Sequence, residues 1–142
     1  MTSSLSPRLA DIVDALPLRQ GMRVLEIGGA PGAAARAVAQ RIGDGHVLVI
    51  DRSPKGVAQV ERLAASEIAA GRMSVRCVAA EDFELAPGEA AYDLAFAIRV
   101  GALDGRHPRA GEQVHRRIKA ALVAGGKLFI DGGDPLREIK LD

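Results

Sequence analysis

Val24-Leu25-Glu26-Ile27-Gly28-Gly29-Ala30-Pro31-Gly32 decides the reading of this chain, because an apolar run that ends in a carboxylate passes directly into a glycine-rich turn. The turn is followed by AAARAVAQRI, a run of strong helix formers that Gly43 stops. The segment therefore reads as strand, glycine turn and helix. Glycines there let a backbone approach a ligand closely and take conformations closed to other residues.

Working outward, HVLVI (His46 to Ile50) is a buried strand ending at Asp51, and Ser53 with Pro54 opens a helix through Val57, Val60, Ala64 and Ile68 up to Gly71. SVRCVAA (Ser74 to Ala80) and YDLAFAIRV (Tyr92 to Val100) read as third and fourth strands around an acidic loop. A helix from near Pro108 carries Val114, Ile118 and Leu122 on one face, is capped by Gly125 and Gly126, and leads into a fifth strand, KLFID (Lys127 to Asp131). Before the glycine turn, Ser6 and Pro7 open a leading helix that ends near Pro17. Strands this apolar cannot face water, so the alternation predicts an α/β fold with a mainly parallel, doubly wound, five-stranded sheet covered by helices on both faces. Ligands in such sheets bind at the carboxyl ends of the strands, near the point where strand order reverses.

The totals bound the rest. The chain has 142 residues, 48% of them apolar, which fits one domain over 1–142. Nineteen basic residues against eighteen acidic ones leave a net charge of +1, too little for a dominant nucleic-acid or membrane footprint. Aromatic residues make up 3% of the chain, so no platform exists for stacking single-stranded bases. The basic residues Arg109, Arg116, Arg117 and Lys119 lie opposite the apolar face of their helix and read as a solvated surface. Cys77 is unpaired and reads as an inert core residue within a strand, and with no leader segment or run of roughly 20 apolar residues the expectation is a cytoplasmic protein.

A carboxylate beside the turn argues against a dinucleotide pyrophosphate, which it would repel, and suits a ligand bearing ammonium and sulfonium charges. Pro31 departs from the dinucleotide pattern as well, so a nicotinamide-dependent oxidoreductase ranks low. Asp51 stands where a carboxylate can accept hydrogen bonds from two ribose hydroxyls. Its alternative role is to cap the helix beginning near Ser53.

Taken together, Glu26, Gly28, Ala30 and Gly32, with VLVIDRS, AAEDFEL, YDLAFAIRV and LVAGGKLFI, resemble the motifs of the class I S-adenosylmethionine-dependent methyltransferases, which have a Rossmann-like fold. The resemblance covers nearly the whole chain. It implies S-adenosyl-L-methionine as cofactor, with Glu26 on the methionine amino group, the backbone of Gly28, Gly29, Ala30 and Gly32 along the amino acid and ribose, and Asp51 on the ribose. Arg52 would flank the adenine. Ala79 fills the position of the family's adenine-contacting acid, which leaves the segment of Ala80, Glu81 and Asp82 to substitute. Ala97 and Arg99 match positions facing the methionine part and the incoming acceptor; Arg99 suits an acidic substrate, and equally a partner for a neighbouring carboxylate such as Asp104 or Asp131. Methyl transfer is an in-line displacement that needs alignment and exclusion of water and no metal. A base helps when the acceptor is a hydroxyl, and the loop holding Asp104, Arg106 and His107 offers His107 as the candidate; the alternative is that His107 and Pro108 simply open the next helix. The motifs of RNA ribose and base amino-group methyltransferases are not evident, so a small-molecule methyl acceptor is expected, ahead of a module that binds the cofactor without transferring methyl groups. The family's sixth and seventh strands are not expected, which would leave the fifth strand as an exposed edge and favour a homodimer through KLFID or the tail REIKL.

Overall fold

The computed structural model describes residues 5–101, 103 and 107–141. Its elements run α1 (Pro7–Ala15), β1 (Arg23–Ile27), α2 (Ala33–Ala39), β2 (His46–Asp51), α3 (Pro54–Leu63), α4 (Ala65–Ala69), β3 (Met73–Cys77), a short 3-10 turn (Ala80–Asp82), β4 (Tyr92–Ala97), α5 (Pro108–Ala121), β5 (Leu122–Asp131) and β6 (Leu136–Ile139). The strands form one sheet in the order β3-β2-β1-β4-β5-β6, parallel throughout except for β6. Strand order reverses between β1 and β4, so the ends of those two strands flank the crevice that such sheets use for ligands.

Alternation along each strand sorts the core into two layers. Val24, Val47, Val49, Leu94 and Phe96 pack on one face with α1, α2 and α3, while Leu25, Leu48, Ile50, Ala95 and Ile130 pack on the other with α5. Two caps follow the sequence signals directly: Ser6 Oγ accepts the Leu9 N–H at the start of α1, and Ser53 Oγ accepts the Gly56 N–H at the start of α3.

Four expectations are corrected, the first being that Cys77, expected in the core, is exposed at the end of β3. The sheet has six strands, because the tail turns at Gly132 and Gly133 and Leu136–Ile139 pairs antiparallel with Leu128–Asp131. The KLFID edge is therefore covered from within the chain, while the tail REIKL, the other expected point of self-association, supplies the outermost strand. Gly125 and Gly126 do not cap α5; Leu122 is already extended and pairs with Tyr92, and the glycines lie in an irregularity of β5 before Lys127 pairs with Leu94. The helix expected from Pro54 to Gly71 breaks at Ala64, whose φ of −105° and ψ of 23° separate α3 from α4. Among the described residues, no helix is long and apolar enough to cross a membrane.

Candidate functional site

Gly28, just past the end of β1, takes a left-handed φ of 67° and Gly32 one of 103°, conformations that let the chain leave the strand and enter α2 within five residues. The Gly28 N–H donates to the Ile50 carbonyl at 2.8 Å, which keeps the turn against the end of β2. Gly29 is needed for a different reason. A Cβ there would lie 2.6 Å from Glu26 Cδ and 2.7 Å from its Oε1, so the absent side chain is the space that the Glu26 carboxyl occupies.

Glu26 is 3% exposed, and its Oε1 is buried without a hydrogen-bond partner. Burial, followed by the negative charge of Asp51, pushes its pKa up from 4.5 to about 8. An acid kept neutral and unsatisfied inside a protein is unfavourable by itself, and such groups gather where a ligand supplies what is missing.

Asp51 is fixed more completely. Its Oδ2 accepts the Ala30 N–H at 3.2 Å and its Oδ1 accepts the Ser53 N–H at 2.9 Å, so the carboxylate ties the glycine turn to the start of α3. Ser53, and not Asp51, caps α3. Each carboxylate oxygen keeps a lone pair for an outside hydroxyl. Gly56 leaves room beside this group, since a Cβ there would come 2.8 Å from Ala30 Cβ and 3.5 Å from Asp51 Oδ1.

Two cavities meet at the crevice. One, of about 590 Å³, includes Asp51, Arg52, Val78, Ala80, Glu81 and His107 in its wall, and the other, of about 510 Å³, includes Ser6, Arg8, Leu9, Glu26, Gly29 and Ala30. Gly28 and Arg99 line both. The two carboxylic acids thus open on opposite sides of one glycine, as an elongated ligand with a cationic end and a diol end requires.

The remaining expected residues are divided by the structure. Arg52, Ala80 and Glu81 stand in the wall of the larger cavity, while Asp82 is exposed outside both. The Glu81 carbonyl accepts hydrogen bonds from Gln113 Nε2 at 3.0 Å and Arg117 Nε at 3.2 Å, which holds the 3-10 turn against α5. Gly32 is buried against Val60 behind the turn, and Ala97 is buried between Ile27 and Ile130, so both support the site without lining it. His107 is exposed at the rim of the larger cavity; its carbonyl accepts the Gly111 N–H at 2.9 Å and its ring makes no capping bond. Asp104 and Arg106 lie outside the described residues.

Sequence reasoning expected the helix α1 and offered Asp131 as a partner for Arg99, but missed that Arg8 of α1 reaches the site. Arg8 Nη2 lies 2.6 Å from Asp131 Oδ2, and the Arg99 N–H donates to Asp131 Oδ1 at 2.9 Å. Burial works against the charge of Asp131, yet the Arg99 amide and the Arg8 guanidinium outweigh it and hold the carboxyl below its ordinary pKa. The Ser6-Pro7 signal marked where α1 starts, but nothing local to it says that Arg8 reaches the end of β5.

The profile of the methyltransferase domain family matches residues 24–126, from the first core residue of β1 into β5. A protein-L-isoaspartate O-methyltransferase of Methanothrix thermoacetophila is 40% identical over 62 residues, covering 43% of this chain and 30% of that protein. Among solved structures, phosphoethanolamine N-methyltransferase 1 of Haemonchus contortus, in complex with phosphoethanolamine and S-adenosylhomocysteine, superposes with a TM-score of 0.72 at 20% identity, over 87% of this chain and 24% of that one. The cyclase SpnF superposes with a TM-score of 0.67 at 26% identity, over 87% of this chain and 43% of that one. This chain therefore spans less than half the length of each of these relatives. With a profile match over residues 24–126 that contains the glycine turn, Glu26 and Asp51, the chain belongs to the methyltransferase domain family.

Proposed function

We propose that this chain is a single S-adenosylmethionine-binding domain that transfers the cofactor's methyl group to a small molecule. The observation that carries the cofactor is the buried, partnerless Oε1 of Glu26 at the glycine turn. An ammonium would satisfy that oxygen and return the acid to its carboxylate form, whereas a dinucleotide pyrophosphate offers neither. Glu26 would hold the methionine amino group, Asp51 the ribose hydroxyls, and Arg52, Val78, Ala80 and Glu81 the adenine side. Gly28, which lines both cavities, would border the cofactor between its two ends; the sulfonium would supply an already activated methyl group, and the chain's task would be to align the acceptor and exclude water. His107, at the cavity rim, is the candidate to take a proton from the acceptor. For the acceptor, support comes from the low net charge and from the phosphoethanolamine bound by the Haemonchus contortus relative.

A second reading, cofactor binding without methyl transfer, is favoured by the cyclase among the structures of this fold. Calorimetric titration with S-adenosylmethionine, S-adenosylhomocysteine and NADH tests the cofactor. The first two should bind and NADH should not, and Asp51→Ala should weaken both by about tenfold or more through loss of the ribose hydrogen bonds and of the anchor for the Ala30 and Ser53 amides. Equal affinity for NADH, or an indifferent Asp51→Ala, would refute the assignment. Methyl transfer to a panel of small acceptors then separates the two readings.

A further inference from the structure

Resting on that reading of the site, we infer that the methyl acceptor carries an anionic group, a carboxylate or a phosphate, and that Arg99 recognises it. Among the residues shared by the two cavities, Arg99 is the charged one, so it stands where the adenosine and methionine sides meet, at the end of β4. Its backbone is held in a conformation that a side chain resists: φ is +60°, and among the described residues no other non-glycine has a positive φ. Such backbone persists only where the surroundings enforce it, and here the enforcement is visible. The Arg99 N–H is fixed by Asp131 at 2.9 Å, and Asp131 is fixed in turn by Arg8 of α1 at 2.6 Å. Asp131 of β5 and Arg8 of α1 therefore fix the backbone of an exposed arginine whose guanidinium makes no ion pair with any described residue.

Charge gives this placement its meaning. A guanidinium facing a sulfonium is a pair of like charges in a partly desolvated crevice, and it opposes binding of the charged cofactor. An anion between the two would turn that repulsion into two attractions, and the planar fork of arginine matches carboxylate and phosphate oxygens in pairs. Glu26 and Asp51 cannot serve as that anion, because the first is buried beneath Gly29 and the second is committed to two backbone amides. An anionic group on the acceptor would supply that charge, and the cofactor's own carboxylate is the competing source that the Arg99→Gln variant distinguishes. Acceptor and S-adenosylmethionine would then bind cooperatively, whereas S-adenosylhomocysteine, whose sulfur is neutral, would be indifferent.

The test is titration of the intact chain with S-adenosylmethionine and with S-adenosylhomocysteine in sodium chloride, sodium acetate or sodium phosphate at matched ionic strength. Acetate, phosphate or both should tighten S-adenosylmethionine by about threefold or more and leave S-adenosylhomocysteine within about twofold. A response to acetate alone assigns a carboxylate and one to phosphate alone a phosphoryl group. Arg99→Gln should abolish the anion effect and favour S-adenosylmethionine relative to S-adenosylhomocysteine, and Arg99→Lys should restore the effect. Should Arg99→Gln weaken both forms equally, Arg99 holds the cofactor's own carboxylate and the inference is wrong. No anion effect in the wild-type chain overturns it as well, while binding of neither form would overturn the underlying reading together with it.

Discussion

Replacing Glu26 by Gln keeps the side chain's shape against Gly29 and removes its titration. With a pKa of about 8 in the folded chain against 4.5 ordinarily, Glu26 binds a proton in the native state that it has lost in the unfolded one at any pH between those values. Its contribution is therefore most favourable below pH 4.5 and is lost as pH rises towards 8, with a slope of about 1.4 kcal/mol per pH unit. Between pH 5.5 and 7.5 the wild-type chain should lose roughly 2 to 3 kcal/mol that Glu26→Gln keeps. Urea unfolding of both proteins across that range isolates the contribution of Glu26, because every other titrating group is common to the two. The same pKa leaves about nine copies in ten protonated at pH 7, so a ligand ammonium that restores the carboxylate should release close to one proton. Calorimetry of S-adenosylmethionine binding in two buffers of different ionisation enthalpy counts that proton, and Glu26→Gln should release none. A stability difference that stays constant with pH, together with no proton release, would refute the account of Glu26 as a buried acid awaiting a cation.

Three other substitutions probe separate parts of the argument. Gly29→Ala places a Cβ where the Glu26 carboxyl lies, 2.6 Å from Cδ, and should destabilise the chain by about 1–3 kcal/mol while weakening S-adenosylmethionine, read by thermal unfolding and calorimetry. Tyr92→Phe removes the 2.6 Å hydrogen bond from Tyr92 to Glu89 and should reduce stability by about 1.5–3 kcal/mol, with cofactor affinity unchanged. Burial alone would raise the Glu89 pKa, but bonds from Tyr92, the Ala86 amide and Arg76 bring it down to about 2, so the wild-type chain loses this contribution as pH falls from 4.5 towards 2 and the variant, followed by acid titration, loses less. Arg8→Ala breaks an ion pair whose arginine is 48% exposed, so stability should change by less than about 1 kcal/mol, yet amides of α1 should exchange faster with deuterium; unchanged exchange would mean that the contact with Asp131 does not hold the helix.

What was legible from the sequence was what short-range chemistry dictates. The apolar run ending at Glu26, the glycines after it and the Ser-Pro helix start after Asp51 each carry their own signal, and Glu26 and Asp51 line adjoining cavities. What was missed depends on partners far along the chain. Leu136–Ile139 is too short and too polar to announce a strand until β5 offers it an edge. Gly125 and Gly126 satisfy the pattern of a helix cap, and only the pairing of Leu122 with Tyr92 shows that the helix has already ended. Glu81 and Asp82 were equivalent candidates, and a single turn of 3-10 helix puts one in the cavity wall and the other outside it. The break at Ala64 has no proline or glycine to mark it. Arg8, Asp131 and Arg99 meet across the length of the chain, and no local pattern encodes such a meeting.

That long-range meeting has a consequence for how the protein can be handled. The walls of the crevice come from α1, the glycine turn, the end of β2, the segment after β3 and the rim before α5, so the site has no local fragment that could carry it. Ligand affinity is then a gauge of the whole architecture, and a ligand at a hundred times its dissociation constant should add about 2.7 kcal/mol to global stability by mass action alone. Cutting the chain between β4 and α5 should silence the gauge even where most of the sheet survives.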